Sequence, residues 1–196
     1  ELYYKEMNNV IAFREGSSLL QFEGWEDRVS QGKGTAYGAE FFVQKKRGKL
    51  SGWVGYTLSW ATRQCDDINF GEVYPYKYDR RHDFEITGSY KFTERFSLAA
   101  SWVYSTGNAV TLGNSRYLGP SAYQNYLNET THTPERNNFR MPSYNRLDVG
   151  LEFTKKKRRY TRTWAFGAYN AYNRKNPFFL FTETENNNGE TTTVLK

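Results

Sequence analysis

The run from His82 to Ser105 constrains the chain more than any other stretch. From Asp83 to Phe92, the residues Phe84, Ile86, Gly88, Tyr90 and Phe92 fall on one side of an extended backbone, and Asp83, Glu85, Thr87, Ser89 and Lys91 fall on the other. The period of two resumes after Thr93-Glu94, where Phe96, Leu98, Ala100, Trp102 and Tyr104 alternate with Arg95, Ser97, Ala99 and Ser101, Val103 being the exception. Two such runs joined by a tight turn read as an antiparallel hairpin with one apolar and one polar face. A hairpin of a soluble sandwich shares that alternation, so strand length carries the distinction. Soluble strands commonly run about five or six residues, whereas a tilted strand crossing a bilayer needs about nine to eleven. Each arm here has the membrane length. The apolar face also begins and ends in aromatic rings, as the interfacial girdles of a transmembrane barrel do.

Composition is compatible with that reading without requiring it. The 196 residues are 38% hydrophobic and 18% aromatic, and the mean hydropathy is −0.83. No run of eighteen or more apolar residues exists, which excludes a transmembrane helix but not a barrel, whose alternating strands look soluble on average. A single cysteine, Cys65, excludes an internal disulfide and a cysteine metal cluster. The net charge of +6 admits nucleic acid or anionic lipid as partners, so the placement of the basic residues decides between them. The chain starts at Glu1 without a basic, apolar leader, as expected of a processed chain or an internal piece.

Further strands are expected over Leu2–Phe13, with Tyr3, Met7, Ile11 and Phe13 sharing a face, and over Thr35–Gln44, with Tyr37, Ala39, Phe41 and Val43 sharing one. Leu50–Ala61 alternates more cleanly, as does Tyr144–Thr154. A seventh strand, carrying Trp164, Phe166, Ala168, Asn170 and Tyr172, is expected to continue past Pro177 to Phe181. Asn186–Gly189 reads as a turn, and Thr191–Leu195 as the start of another strand. Between them run long irregular segments, Arg14–Gly34, Thr62–Arg81 and Thr106–Ser143, and short basic or polar turns. Long and short connections alternate, which places all the short turns at one end of the strands. A periplasmic end with short turns and an extracellular end with long loops have this arrangement, and soluble β proteins have no physical reason for it. The expected fold class is all-β, the C-terminal part of a large antiparallel transmembrane β-barrel. Glu40, Asp83, Glu85, Lys91, Asp148 and Glu152 on the polar face call for a wide, wet or plugged lumen.

Four segments then carry a resemblance: Gly34-Thr35-Ala36-Tyr37-Gly38-Ala39-Glu40, Tyr76-Lys77-Tyr78-Asp79-Arg80-Arg81-His82-Asp83, Trp102-Val103-Tyr104-Ser105-Thr106-Gly107-Asn108-Ala109, and Tyr169-Asn170-Ala171-Tyr172-Asn173-Arg174-Lys175-Asn176-Pro177-Phe178. In order and placement they resemble the C-terminal third of a TonB-dependent outer-membrane transporter of the Bacteroidota type. That resemblance implies a barrel of about twenty-two strands with an N-terminal plug. Residues 1–196 would supply approximately strands fifteen to twenty-one and the start of the last, and the plug would lie outside them. It further implies an integral, multi-pass location in a Gram-negative outer membrane and contact with the TonB complex through the missing N-terminal part. Active uptake of a metal chelate, glycan or peptide is the function expected from it. The alternative is a barrel whose loops dock an extracellular lipoprotein or another envelope complex without transport.

No catalytic constellation accompanies the two histidines, His82 and His132, so no enzymatic activity and no cofactor or metal are expected. Cys65-Asp66-Asp67 reads as a solvated loop. The basic turns Lys45–Lys49 and Lys155–Arg159 suit leaflet headgroups better than nucleic acid, because the aromatics keep strand phase and do not interleave with them. Arg80 and Arg81 fall where a strand emerges, suited to lipopolysaccharide phosphates or to internal pairing with Asp79 or Asp83. Substrate contact is expected from Tyr74, Tyr76, Tyr78, Tyr117, Tyr123, Tyr126, Arg136 and Arg140 in the long loops, where aromatics beside arginines suit glycans, peptides or chelates.

Overall fold

The computed structural model describes residues 1–14, 26–113, 115–120, 127–133, 135–180, 182–187 and 190–195; for 115–120, 127–132, 182–187 and 190–195 it describes the strand path alone. The chain is all-β. Its strands are β1 (Leu2–Phe13), β2 (Val29–Lys45), β3 (Leu50–Cys65), β4 (Tyr74–Pro75), β5 (His82–Lys91), β6 (Phe96–Ser105), β7 (Ala109–Val110), β8 (Ser115–Pro120), β9 (Leu127–His132), β10 (Phe139–Arg140), β11 (Tyr144–Lys156), β12 (Thr161–Ala168), β13 (Thr182–Asn187) and β14 (Glu190–Leu195). The main sheet runs β1-β2-β3-β5-β6-β11-β12 with β4 added to β3, and β10-β7, β8-β9 and β13-β14 form separate pairs. Contacts divide the chain into two compact units, residues 1–42, 55–84 and 107–140, and residues 43–54, 85–106 and 141–196.

In the first unit, Leu2 pairs with Ala39 and Tyr4 with Tyr37, so these four share a face. Ring stacking extends that face, with Tyr37 and Trp60 at 5.2 Å and Phe41 and Tyr56 at 6.2 Å. The expectation for β1 needs correction. Tyr3 pairs with Gly38 and Met7 with Gly34, on the opposite face from Ile11 and Phe13, which pair with Gln31 and Val29. The cause is a bulge at Asn9, where the register slips between Asn8 and Val10 and φ reaches 57°. An extra residue inverts the side-chain phase, and asparagine tolerates the left-handed backbone it needs.

Buried apolar side chains are few. Among the described residues they are Cys65, Ile68, Tyr74 and Ala109, all in the first unit and beyond or at the ends of the long strands. Ala12 packs on the Cys65–Ile68–Tyr74 cluster. Gly32 lets the neighbouring backbone close over it, since a Cβ there would lie 2.1 Å from the Gln64 carbonyl oxygen and 2.8 Å from Cys65 Cα. The segments read as irregular from sequence are partly ordered into strands: β2 starts at Val29, β3 runs on to Cys65, and β7, β8, β9 and β10 lie within 106–143.

In the second unit, Val149, Leu151 and Phe153 lie opposite Ala100, Leu98 and Phe96 of β6 and opposite Ala168, Phe166 and Trp164 of β12. This apolar face has no layer packed over it: Trp164 and Phe166 are 56% and 59% exposed, and no described apolar side chain of the unit is buried. Rings bracket it, with Phe92, Phe96 and Phe153 in a stack at one end (5.0 and 4.7 Å) and Trp102 over Tyr104 (6.1 Å) at the other. The opposite face is polar, and there the Thr87 and Ser101 hydroxyls bond at 2.9 Å. The β5–β6 connection is closed by Thr93, whose hydroxyl accepts from the Arg95 and Phe96 amides.

The seventh strand is shorter than its pattern suggests. β12 ends at Ala168, and 169–180 contains no strand. Asn170 and Asn173 take φ of 52° and turn the backbone out of strand geometry. The turn is held by β11 and the residue before it: the Asn170 amide donates to the Asp148 carboxylate (2.9 Å), the Ala171 amide to the Leu147 carbonyl (2.6 Å), and the Arg174 guanidinium to the carbonyl of Ser143, just ahead of the strand (3.0 Å). β13 and β14 pair with each other, so Asn186, expected in a turn, lies in β13; Asn188 and Gly189 fall outside the described residues.

Candidate functional site

Two clusters of the first unit gather most of the loop residues singled out above. The first centres on Asp79, only 3% exposed. Its carboxylate accepts from the Ala61 amide at 2.6 Å, from the Arg81 guanidinium at 3.4 Å and from Arg140, which also donates to the Asp79 carbonyl. Arg81 lies 4.4 Å over the Trp60 ring and donates to the Ser59 carbonyl. Arg80 bonds Asn108 at 2.7 Å and approaches Asp83 at 3.6 Å. The structure therefore commits Arg80, Arg81 and Arg140 to internal partners. A buried carboxylate needs such compensation, and here it fastens the 74–83 loop to β3 and β10.

The second cluster lines an open cleft of about 310 Å3. Its floor is the buried Tyr74, whose hydroxyl lies 3.6 Å from Cys65 Sγ. Burial, reinforced by the hydrogen bond to Cys65, raises the Tyr74 phenol above its ordinary value. The neighbouring Arg136 and Arg63 charges pull the other way and are outweighed. Ile11 and Phe13 form an apolar wall, and Arg63, Lys77 and Arg136 supply three cations. Arg63 is stacked 3.9 Å over Tyr76 and donates to the Ile11 carbonyl at 3.1 Å.

Asparagines hold Arg136 in place. Its amide donates to Asn69 Oδ1 (3.1 Å), and its guanidinium reaches the Phe13 carbonyl at 3.5 Å. Next to it, Asn137 (φ 55°) donates to the Pro75 carbonyl at 2.7 Å and accepts from the Thr111 hydroxyl at 3.3 Å. Such contacts lock a connecting segment that strand pairing alone would leave loose.

Of the residues expected to touch substrate, Tyr74, Tyr76 and Arg136 meet in the cleft. Tyr78 packs edge-on against Tyr76 at 5.3 Å, with the Lys77 ammonium 4.7 Å over its ring. Tyr117 lies on β8, described by its path alone, and Tyr123 and Tyr126 fall outside the described residues. Arg63 and Lys77 were not singled out from sequence. For Arg63 a signal existed, because the alternation of β3 places it beyond the last apolar residue, where a strand meets its loop. In the Cys65-Asp66-Asp67 stretch, Asp67 pairs with Arg14 at 2.9 Å, and Cys65 is fully buried.

No family model, curated protein or solved structure matches the chain.

Proposed function

We propose that the chain forms part of the wall and extracellular loops of a transmembrane β-barrel in a Gram-negative outer membrane, and that the complete barrel is a plugged, TonB-dependent importer. One observation carries the membrane reading: the paired strands of the second unit present an uncovered apolar face bracketed by aromatic rings, with no buried apolar side chain among the described residues of that unit. An uncovered face of that kind on a water-soluble chain would be an aggregation surface; in a bilayer, lipid supplies the missing layer. The import reading adds the resemblance of four segments to TonB-dependent transporters and the presence, among the loops, of a cleft lined by aromatic and cationic side chains. Binding and gating, rather than bond-making, are the chemistry it assigns.

Fractionation of the source cells tests the first half. The chain should stay with the outer membrane through alkaline carbonate and leave it in detergent; recovery in a carbonate wash would overturn the membrane reading. Deletion of the coding sequence tests the second half, by growth on metal chelates, glycans and peptides as limiting sources. Loss of growth on one class is expected, and unchanged growth on all three would favour the docking alternative.

A further inference from the structure

The cleft beside Tyr74 has a charge balance that its own structure leaves unsettled. Arg63, Lys77 and Arg136 face it, and no carboxylate is among its described lining residues. The Asp79 arginines are matched to a buried carboxylate, whereas among the described residues these cations meet neutral groups: the carbonyls of Ile11 and Phe13 and the rings of Tyr76 and Tyr78. A carbonyl satisfies one N–H without neutralising the charge, and a guanidinium carries five N–H donors. Both guanidiniums are also held before any ligand arrives. Stacking on Tyr76 fixes the plane of Arg63, and the Asn69 and Pro75 contacts pin the backbone that bears Arg136. Preorganised, uncompensated guanidiniums beside a lysine form a receptor for oxyanions.

We propose that this cleft binds an oxyanion, a phosphate, sulfate or carboxylate, carried on a body small enough to lie against Ile11 and Phe13. At about 310 Å3 the cleft lies at the lower end of small-molecule sites, so it accommodates one sugar-sized or amino-acid-sized unit, either alone or as the end of a longer ligand. Arg63 and Arg136 grip the anion through their N–H edges, Lys77 adds a point charge, and the protonated Tyr74 closes the floor. That the oxyanion belongs to an imported cargo rests on the import reading; that the cleft takes one does not. The two sources of such a group near a membrane surface are a soluble ligand and the phosphates of a lipid headgroup.

Calorimetric titration of the detergent-solubilised full chain separates them, with glucose 6-phosphate, glucose and lipid A in mixed micelles as the probes. Saturable binding of glucose 6-phosphate, with glucose inert, supports a soluble ligand; binding of lipid A alone supports a headgroup. In either case Arg63→Gln and Arg136→Gln should each weaken binding at least about tenfold, and Arg159→Gln, in a basic turn outside the cleft, should leave it unchanged. Far-ultraviolet circular dichroism of each variant confirms that the strands are retained. The inference is overturned if neither phosphate probe binds, if glucose binds as well as its phosphate, or if neither arginine substitution in the cleft changes the affinity. A chain that binds phosphate yet washes off membranes keeps this site and loses the import reading.

Discussion

Ala99 and Ala100 are consecutive, lie in β6 and point to opposite faces, so replacing each in turn by arginine isolates the face from every other variable. Ala100 pairs with Val149 and belongs to the apolar face; Ala99 pairs with Gly150 and belongs to the polar one. Ala100 is also midway along the sequence between Phe96 and Tyr104, the aromatic residues at either end of its face. With a rise of about 3.4 Å per residue and the tilt of about 40° expected of a barrel strand, those rings would stand about 21 Å apart along the normal of the proposed membrane, close to the height of about 25 Å typical of a lipid-facing band. The proposed membrane placement therefore puts Ala100 near the midplane, where an arginine on the lipid face costs about 2–4 kcal/mol. Ala99→Arg, aimed at water or a polar lumen, should change stability by no more than about 0.5 kcal/mol. Urea unfolding of each variant in lipid vesicles, followed by tryptophan fluorescence, gives both numbers. Equal losses at the two positions, or no loss at Ala100, would refute the assignment of the faces.

Two further predictions concern the loops. Asp79→Asn keeps the shape of the side chain but removes the charge that holds Arg140 and Arg81, both partly exposed, so the folded chain should lose about 1–3 kcal/mol, measured by denaturant midpoint; a change under about 0.5 kcal/mol would show that Asp79 does not organise the loop. Tyr74 makes stability fall at high pH. Burial raises its phenol above the ordinary value of 10.0, so the neutral form contributes fully below pH 10, and above it the unfolded chain releases a proton that the folded chain keeps. Stability should then decline with a slope approaching about 1.4 kcal/mol per pH unit, and Tyr74→Phe should remove that component from urea midpoints taken between about pH 9 and 11. An unchanged slope in the phenylalanine variant would contradict it.

The regular parts of the fold were legible in the sequence because a period of two is imposed directly by strand geometry. The faces of β6 and β11 follow from it without correction, since nothing interrupts their pairing, and the Thr87–Ser101 hydroxyl contact puts the polar face of β5 beside that of β6. Tyr3 and Met7 of β1 fall on the other face because a single inserted residue, Asn9, inverts the phase, and in the sequence Asn9, like Lys5, reads only as a polar interruption of the apolar face, not as an insertion. The sequence pattern runs past the end of β12 because Asn170 and Tyr172 keep the phase of Trp164 and Phe166. The backbone leaves the strand there through two asparagines at positive φ, stabilised by Asp148 and other β11 groups distant in sequence. The candidate site divides along the same line. Aromatics beside arginines in long loops marked Tyr74, Tyr76 and Arg136, but which arginine faces a cleft and which is spent on a buried carboxylate is decided by contacts such as Arg140 to Asp79, which span the chain.

The orientation of the apolar face toward lipid is the claim on which the rest depends, and tryptophan quenching tests it most directly. Trp102 and Trp164 lie on that face, whereas Trp53 belongs to the alternate phase of β3. Single-tryptophan variants retaining each in turn, reconstituted in vesicles of brominated phospholipid, should show strong quenching at Trp102 and Trp164 and little at Trp53. Equal quenching at all three positions, or none at Trp102 and Trp164, would contradict the account.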